Sequence, residues 1–183
     1  MAAKALELTA DEAFAHIHSV WGKVDTSRRE QIGLAGELAL VELLTTEVPA
    51  RIEHVAEHSD GYGYDIAVQT DKASVHIETK ATTRRGRLTV YLSRNEYETM
   101  RRDPAWQLVA VRLTAELALT SIATVPREWI AAQVPADRGL CGRWESCRLE
   151  VPPGVPEKGI PALLPLFTGD VPAEIAGTAA WHD

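Results

Sequence analysis

The sequence has 183 residues, 45% of them hydrophobic, which suits one globular domain with a short terminal extension. Its net charge of -7 argues against a generally basic nucleic-acid-binding protein. The apolar runs are too short to span a membrane, no apolar stretch typical of a secretory signal begins the chain, and two cysteines are too few for a disulfide framework. We therefore expect a cytoplasmic protein with no membrane partner. Its thiols are expected to be reduced, although the sequence also allows one local disulfide.

The first half of the chain begins with a helical pattern. Thr9 and Glu12 form a capping-box pattern, which predicts a first helix that continues to about Trp21. A second, longer helix is predicted from near Ser27 through the segment RREQIGLAGELALVELLTTE. Its two glycines, Gly33 and Gly36, are weak helix formers and predict close packing against another backbone.

The period then changes from helix to strand. Strands are predicted at 51–57, 64–70, 74–82 and 88–92, and they form a meander because the connections TDKA and RRG are short and polar. Ser93 predicts the cap of a helix, NEYETMRRD, that Pro104 ends. Two more strands at 106–114 and 117–125 and a helix at 127–134 follow.

This order of elements predicts an α/β (α+β) fold with a central mixed sheet flanked by helices. After Pro152 the chain is rich in Pro and Gly without a clear period, and we interpret it as an extension that wraps the domain or meets a partner. The expected organisation is a helical extension at 1–26, the main domain at 27–150 and a C-terminal extension at 151–183.

The charge is unevenly distributed along the chain. Residues 72–112 contain nine Lys or Arg and four Asp or Glu, whereas the remainder contains 10 basic and 22 acidic residues. Such a local positive segment can meet phosphates, while the acidic remainder limits non-specific binding. A solvated basic surface is an equally good interpretation of the same run.

Three charged residues meet in the predicted hairpin of the second and third strands. Glu78 and Lys80 are two residues apart on a strand, so their side chains share one face, opposite to that of Thr79. A turn near 71–72 places Asp65 across from Glu78, at a Cβ separation of about 5 Å. The sequence therefore brings two carboxylates and one ammonium group together.

Two carboxylates this close repel each other unless a cation neutralises them. Mg²⁺ suits such a pair together with waters and phosphate oxygens, and the lysine can hold or help deprotonate an attacking water. The pattern predicts a metal-dependent phosphodiesterase site. Taken alone, Glu78 and Lys80 are also compatible with a surface ion pair, which is worth less than about 1 kcal/mol.

Several short motifs in order resemble a known family. They are GELA from Gly36, GYDI from Gly63, IETK from Ile77 and LSRNEYE from Leu92, before WQLVAVRL. Together they resemble the PD-(D/E)-x-K restriction-endonuclease-like superfamily and, within it, the C-terminal domain of the protein NO VEIN, over residues 27 to 114. Tyr64 stands where the superfamily has proline, as is usual for this branch.

The resemblance implies hydrolysis of nucleic-acid phosphodiesters, usually of DNA, in a restriction, defence or repair setting. It implies a Mg²⁺ ion, with Mn²⁺ as a substitute, held by Asp65, Glu78 and the backbone carbonyl of Thr79. Lys80 would activate the water, and Glu37 matches a helical acid that assists the metal or the water.

Nucleic-acid contacts are expected from basic and polar residues near the motif. The candidates are Arg84, Arg85, Arg87, Arg94 and Asn95. The resemblance places Asn95 and Glu96 near the site without assigning them chemistry. For Glu37 a solvated helix position, and for the arginines a plain charged loop, are equally good interpretations.

The histidines are interpreted as surface or packing residues. His54 and His58 are four residues apart, but on a strand they lie about 13 Å from each other, too far to share a metal. His76 shares its face with Glu78, so it can line the site, although a core or rim position is the simpler interpretation.

Three functions stay open at this stage. The first is an active Mg²⁺-dependent nuclease that acts as a homodimer or with a partner subunit. The second is a catalytically silent module of the same fold that binds nucleic acid or a protein within a larger complex. The third is an unrelated α/β binding domain in which the motif is accidental.

Overall fold

The structure is a computed structural model that describes residues 10–56, 61–137, 139, 142–177 and 181, and of residues 10–25 only the helical backbone. Its elements in chain order are α1 (Ala10–Glu47), β1 (Arg51–His54), β2 (Ile66–Gln69), β3 (Ser74–Thr82), β4 (Leu88–Ser93), α2 (Arg94–Arg102), β5 (Trp106–Leu113), β6 (Leu119–Val125), α3 (Arg127–Gln133), β7 (Ser146–Val151), β8 (Glu157–Lys158), a 3-10 helix (Pro161–Leu166) and α4 (Ala173–Ala176). The predicted helix cap at Thr9 lies outside the described residues, as do His58 and Cys141.

The first two predicted helices are one continuous helix, α1, so the break expected before Ser27 is wrong. Asp25 and Ser27 look like capping residues, but in a helix interior each costs less than about 1 kcal/mol, which by itself is too little to end a helix. The helix runs across the predicted boundary at residue 26, and the domain limits stay a prediction. Although α1 has 38 residues, neither it nor another helix in the described part is apolar enough to cross a membrane.

The main sheet has six strands in the order β1-β2-β3-β5-β6-β8. All neighbours are antiparallel except β3 and β5, which are parallel, so the predicted central mixed sheet flanked by helices is confirmed. The hairpin of β2 and β3 has the predicted register, with Ile66 opposite Ile77 and Gln69 opposite Ser74.

The fourth strand does not continue the predicted meander. β4 pairs instead with β7, from Leu88 opposite Val151 to Ser93 opposite Ser146, in a separate two-stranded sheet. The reason is topological, because β5 occupies the edge of β3 that a meander would have given to β4. The strand β7 had no clear signal in the sequence.

The two faces of the main sheet bury two apolar clusters. On one face the sheet packs against α1 and the C-terminal segment. The cluster between them includes Ile66, Ile77, Val109, Val111, Leu163 and Ile175. The other face packs against α2, α3 and the β4–β7 sheet. The cluster between them includes Leu92, Met100, Leu108, Ala110, Ile130 and Leu149. Because side chains alternate along a strand, Glu78 and Lys80 lie on the face of α2.

The C-terminal residues are packed onto the domain. Leu163 and Ile175 are fully buried, and β8 pairs with β6. The buried Arg112 donates a hydrogen bond from Nη1 to the carbonyl oxygen of Trp181 at 2.6 Å, and its guanidinium lies 5.4 Å from the centre of that indole ring. These are the contacts of a segment that wraps the domain.

The contact of α1 with the sheet requires a glycine at only one of the two predicted positions. A Cβ atom at Gly36 would lie 2.4 Å from the Cβ atom of Ala81 on β3, so the helix approaches the strand directly there. A Cβ atom at Gly33 would meet no atom within 4 Å, so the close packing predicted for Gly33 is wrong.

Substituting the two glycines by alanine should therefore have opposite effects on the free energy of unfolding. Gly36→Ala overpacks the interface at a cost of about 1–3 kcal/mol, which exceeds the gain in helix propensity. Gly33→Ala keeps only that gain, about 1 kcal/mol. Urea denaturation of both variants measures the difference, and equal shifts would contradict the proposed contact of Gly36 with Ala81.

Candidate active site

The candidate site lies where the β2–β3 hairpin opens, on the face of the sheet that α2 covers. Asp65 stands directly before β2, and its backbone N–H donates to the carbonyl oxygen of Ile77 at 2.8 Å. Its Oδ2 accepts a hydrogen bond from the backbone N–H of Thr79 at 2.7 Å. The hairpin therefore fixes the Asp65 carboxylate beside the backbone that carries Glu78.

Lys80 links the hairpin to α2. Its Nζ lies 2.7 Å from Oε1 of Glu78 and 3.0 Å from Oε1 of Glu96, in the first turn of α2. The Glu78 side chain is only 6% exposed and that of Lys80 21%. The sequence predicted the pairing of Glu78 with Lys80. The family resemblance placed Glu96 near the site without a role, so the contact of Glu96 with the lysine was not predicted.

A capping box holds Glu96 in this position. Oγ of Ser93 accepts a hydrogen bond from the Glu96 backbone N–H at 3.2 Å, and Oε2 of Glu96 accepts one from the Ser93 backbone N–H at 2.8 Å. One carboxylate oxygen thus completes the helix cap while the other contacts Lys80. The predicted cap at Ser93 is confirmed, and it also orients a charged group toward the lysine.

Burial makes ionisation of the two hairpin carboxylates unfavourable. It raises the pKa of Asp65 to about 6, against the opposing effect of the Thr79 N–H, and the nearby Glu37 raises it further. Burial also raises the pKa of Glu78 well above its ordinary range, although Lys80 acts in the other direction. Asp65 and Glu78 are therefore the carboxylates whose negative charges the protein does not fully neutralise.

Glu96 is instead an ionised partner of the lysine. Burial opposes its charge, but Lys80 and the Ser93 N–H together leave the pKa of Glu96 lowered. Burial likewise opposes the charge of Lys80, yet Glu78 and Glu96 outweigh it and raise the pKa of the lysine. The protonated form of Lys80 is therefore favoured, and Glu78 and Glu96 both hold its ammonium group.

The residues fit a hard divalent cation. In the described part of the chain no three His, Cys, Asp or Glu side chains form a metal-binding group. The oxygen atoms available to a cation here are the carboxylates of Asp65 and Glu78 and a backbone oxygen of β3. Since peptide groups alternate along a strand, the Thr79 carbonyl points to the same side as that of Ile77, toward Asp65. Mg²⁺ accepts such a set with waters and substrate oxygens.

Glu37 does not join the cluster around Lys80. Its carboxylate forms a hydrogen bond with Nε2 of His54 on β1, and both side chains are largely buried. His54 is opposite Ile66 and so lies on the α1 face of the sheet. The sequence predicted a surface or packing role for His54. Its pairing with Glu37 was not predicted because the packing of α1 on β1 brings the two residues together.

The arginines of the β3–β4 connection lie on the surface. Arg84, Arg85 and Arg87 are exposed. Nε of Arg87 pairs with Oε2 of Glu150 on β7 at 2.9 Å, so part of its charge is used within the protein. Arg84 and Arg85 remain the better candidates for phosphate contacts.

Arg94 and Asn95, at the start of α2, have structural partners. The guanidinium of Arg94 forms two hydrogen bonds to Asp137, at 2.7 and 3.1 Å, and pairs with Glu98 at 2.8 Å. Nδ2 of Asn95 donates to the carbonyl oxygen of Gly61 at 3.4 Å. The predicted nucleic-acid contact of Arg94 would require the loss of its pair with Asp137.

A cavity of about 320 Å³ opens over the site. Asp65, Glu78 and Glu96 line it from below and from α2, and Gly63 and Tyr64 line it from the connection before β2. The acidic groups thus face a space that is open to a ligand. The fold and the site together define an α/β protein with a carboxylate–lysine centre on a β-hairpin.

The family comparison covers this centre. Residues 36–117 match the model of the family described as Protein NO VEIN, C-terminal. The matched segment begins at Gly36 and includes Asp65, Glu78, Lys80 and Glu96. The resemblance that the motifs predict is therefore confirmed for this segment.

Two further comparisons add little. Archaeoglobus fulgidus Hjc, a Holliday junction resolvase from an archaeal hyperthermophile, is 20% identical, and the match covers 79% of this chain and 95% of that chain with a TM-score of 0.36. At this score the similarity carries no argument about fold or activity. No curated protein matches the chain.

Asp65→Asn should stabilise the metal-free protein at high pH and not at low pH. Because the pKa of Asp65 is about 6 in the folded protein and 3.8 ordinarily, the folded state retains a proton that the unfolded chain has released. Stability is therefore lost as pH rises through this window, by up to about 3 kcal/mol. The amide avoids the loss and still accepts from Thr79.

Urea denaturation in EDTA at pH 4 and pH 8 measures this effect. Asp71→Asn, at the exposed turn of the same hairpin, is the matched control and should change stability little at either pH. An Asp65→Asn variant that is less stable than the wild type at pH 8 would contradict the burial of an unneutralised charge.

Proposed function

We propose that the chain is a divalent-metal-dependent nuclease that hydrolyses phosphodiester bonds, with DNA as the first substrate to test. The observation that carries the proposal is the position of Lys80, which contacts Glu96 and lies beside the buried Glu78 and the half-buried Asp65, two carboxylates whose ionisation burial disfavours. A structural ion pair alone would not need the carboxylates of Asp65 and Glu78 to lie together at the base of an open cavity.

Asp65, Glu78 and the backbone carbonyl of Thr79 would hold Mg²⁺, or Mn²⁺ in its place. The bound ion supplies Lewis-acid stabilisation of the negative charge that develops on the phosphate oxygens. Binding is favoured because it removes the repulsion between the two carboxylates. The affinity should fall below about pH 6, where Asp65 takes up a proton.

Lys80 would orient the attacking water and stabilise the transition state. Its raised pKa favours a protonated side chain at neutral pH, which donates hydrogen bonds and does not accept a proton. Of the two roles that the sequence left open, holding the water is therefore the better supported one. The anchor at Glu96 keeps the ammonium group in place when Glu78 turns to the metal.

Arg84 and Arg85 would contact the phosphates of the bound strand, and the family resemblance supports a role in bacterial restriction, defence or repair. A second copy of the chain or a partner subunit would supply a second site for cutting both strands of a duplex. These points, like cytoplasmic localisation, are part of the proposal.

The nuclease proposal predicts metal-dependent cleavage that depends on the hairpin residues. The wild type should cut plasmid or single-stranded DNA with Mg²⁺ or Mn²⁺ and not with EDTA, and Asp65→Ala and Lys80→Ala should each lower the rate at least about 100-fold. Gel analysis of the products over time measures it, with Asp71→Ala as the control for a carboxylate removed from the same hairpin.

Each outcome has a distinct meaning. Equal cleavage by all variants would identify a contaminating nuclease. DNA binding without cleavage by any of them would favour the catalytically silent module over the enzyme. Neither binding nor cleavage would leave a protein partner as the ligand of the module.

Glu96→Gln tests the role of Glu96 as a positioning residue. An amide has one acceptor oxygen, so glutamine cannot serve both the Ser93 N–H and Lys80. We expect kcat to fall about 10–100-fold with little change in KM for DNA. Steady-state kinetics measure this split.

Ser93→Ala is the matched control, since it removes a hydrogen bond of the same helix cap and leaves the contact of Glu96 with Lys80. It should cost about 1 kcal/mol of stability and little activity. If both variants lose activity in proportion to stability, Glu96 acts only through the helix.

A further inference from the structure

A second cavity of about 250 Å³ lies beside the site. Glu53, Val55, Tyr62, Tyr64, Ala67 and Gln69 line it, and we name it the side cavity. Ala67 and Gln69 lie on the same face of the sheet as Glu78, since Ala67 is opposite His76. Tyr64 lines both the side cavity and the cavity over the site, so the two are neighbours.

The loop that carries Tyr62 is fixed by three side chains. Successive carbonyl oxygens of residues 61, 62 and 63 accept hydrogen bonds from Asn95 at 3.4 Å, Thr99 at 3.3 Å and Trp106 at 2.8 Å. Gly63 has a φ of +74°, and a Cβ atom there would lie 2.4 Å from Oγ1 of Thr99. The backbone is thus held in place, while Tyr62 is 55% exposed.

The second ring of the side cavity is held from behind. His76 stacks on Tyr64 with ring centres 4.4 Å apart and 7° between the planes. Its Nδ1 contacts Oδ2 of Asp103 at 2.5 Å, and its Nε2 contacts Oγ of Ser74 at 2.7 Å. Ser74, His76 and Asp103 are linked in the order of a serine-hydrolase triad, but Ser74 lines neither cavity. We therefore interpret this series of hydrogen bonds as a support for the ring of Tyr64.

The groups around the side cavity suit a nucleobase and not a phosphate. Tyr62 and Tyr64 offer aromatic rings 6.0 Å apart, and Gln69 offers an amide for the edge of a base. The Glu53 carboxylate would repel a phosphate, but it can accept a hydrogen bond from an exocyclic amino group. Its pair with Arg51, at 3.6 Å, is exposed and weak.

We propose that the side cavity binds an unpaired base next to the phosphate held at the site, with Tyr62 as the stacking surface. The inference rests on the proposed nuclease function and names its substrate class: single strands, or duplexes with a bulged or displaced nucleotide. A base inside a continuous duplex is stacked between its neighbours and cannot reach the ring.

The test uses the full chain and three fluorescent DNA oligonucleotides that carry 2-aminopurine: a single strand, a blunt duplex and the same duplex with the 2-aminopurine bulged. Binding is measured by anisotropy in EDTA and in Ca²⁺, and stacking by quenching of 2-aminopurine. Tyr62→Ala should weaken binding of the single strand and the bulged duplex about tenfold and remove the quenching. Tyr62→Phe should retain both.

Tyr91→Ala is the matched control, because Tyr91 on β4 is also 55% exposed but lines neither cavity. It should leave all three affinities unchanged, and Tyr62→Ala should leave the blunt duplex unchanged. The proposal is overturned if Tyr62→Ala binds the bulged duplex like the wild type, if it weakens the blunt duplex equally, or if the wild type binds none of the three.

These results separate the side cavity from the nuclease proposal. If the wild type cleaves DNA and Tyr62→Ala cleaves it with the same substrate preference, the proposal for the side cavity is wrong and the nuclease proposal stands. If Tyr62→Ala removes the quenching but the wild type cuts no substrate with Mg²⁺, the proposal for the side cavity stands and the nuclease proposal is wrong.

Discussion

The parallel pairing of β3 with β5 is the interaction on which both the core and the candidate site depend. Two parallel neighbours need a connection that crosses a face of the sheet, and here that connection consists of β4 and α2. The crossing carries the first turn of α2 over the strand that holds Lys80. Glu96 therefore reaches the lysine from a part of the chain 16 residues away. An antiparallel β3–β4 hairpin would have left Lys80 with Glu78 alone.

The same crossing sets the energetic character of the site. Covering this face of the sheet removes water from Asp65 and Glu78, so their charges become costly, while Lys80 pairs with both Glu78 and Glu96. Ionisation of Asp65 and Glu78 in the metal-free protein therefore costs stability. Such a cost is compatible with a site that binds a cation, because a cation would favour the ionised form of both carboxylates.

The sequence predicted the features that depend on residues close together in the chain, and it missed most of those that depend on residues far apart. The hairpin of β2 and β3 followed from local residues, since the turn length fixes the register and hence the approach of Asp65 to Glu78. The cap at Ser93 was equally local. The packing of the C-terminal segment onto the domain was one of two expectations, but its individual contacts were not predicted. Nor were the pairing of β4 with β7 and the contact of His54 with Glu37, because partners far apart in sequence decide them and a single sequence has no periodicity that reports such contacts.

The close approach of α1 to β3 makes the sizes of two residues, Gly36 and Ala81, depend on each other. With no side chain at Gly36, the methyl group of Ala81 fills the gap between helix and strand, so the volume available to the two residues is shared. A larger residue at either position can be accepted only if the other becomes smaller or the helix moves. Among related sequences the two positions should therefore covary. Because Ala81 directly follows Lys80, this shared volume also fixes the height at which α1 sits beside the strand that carries the lysine.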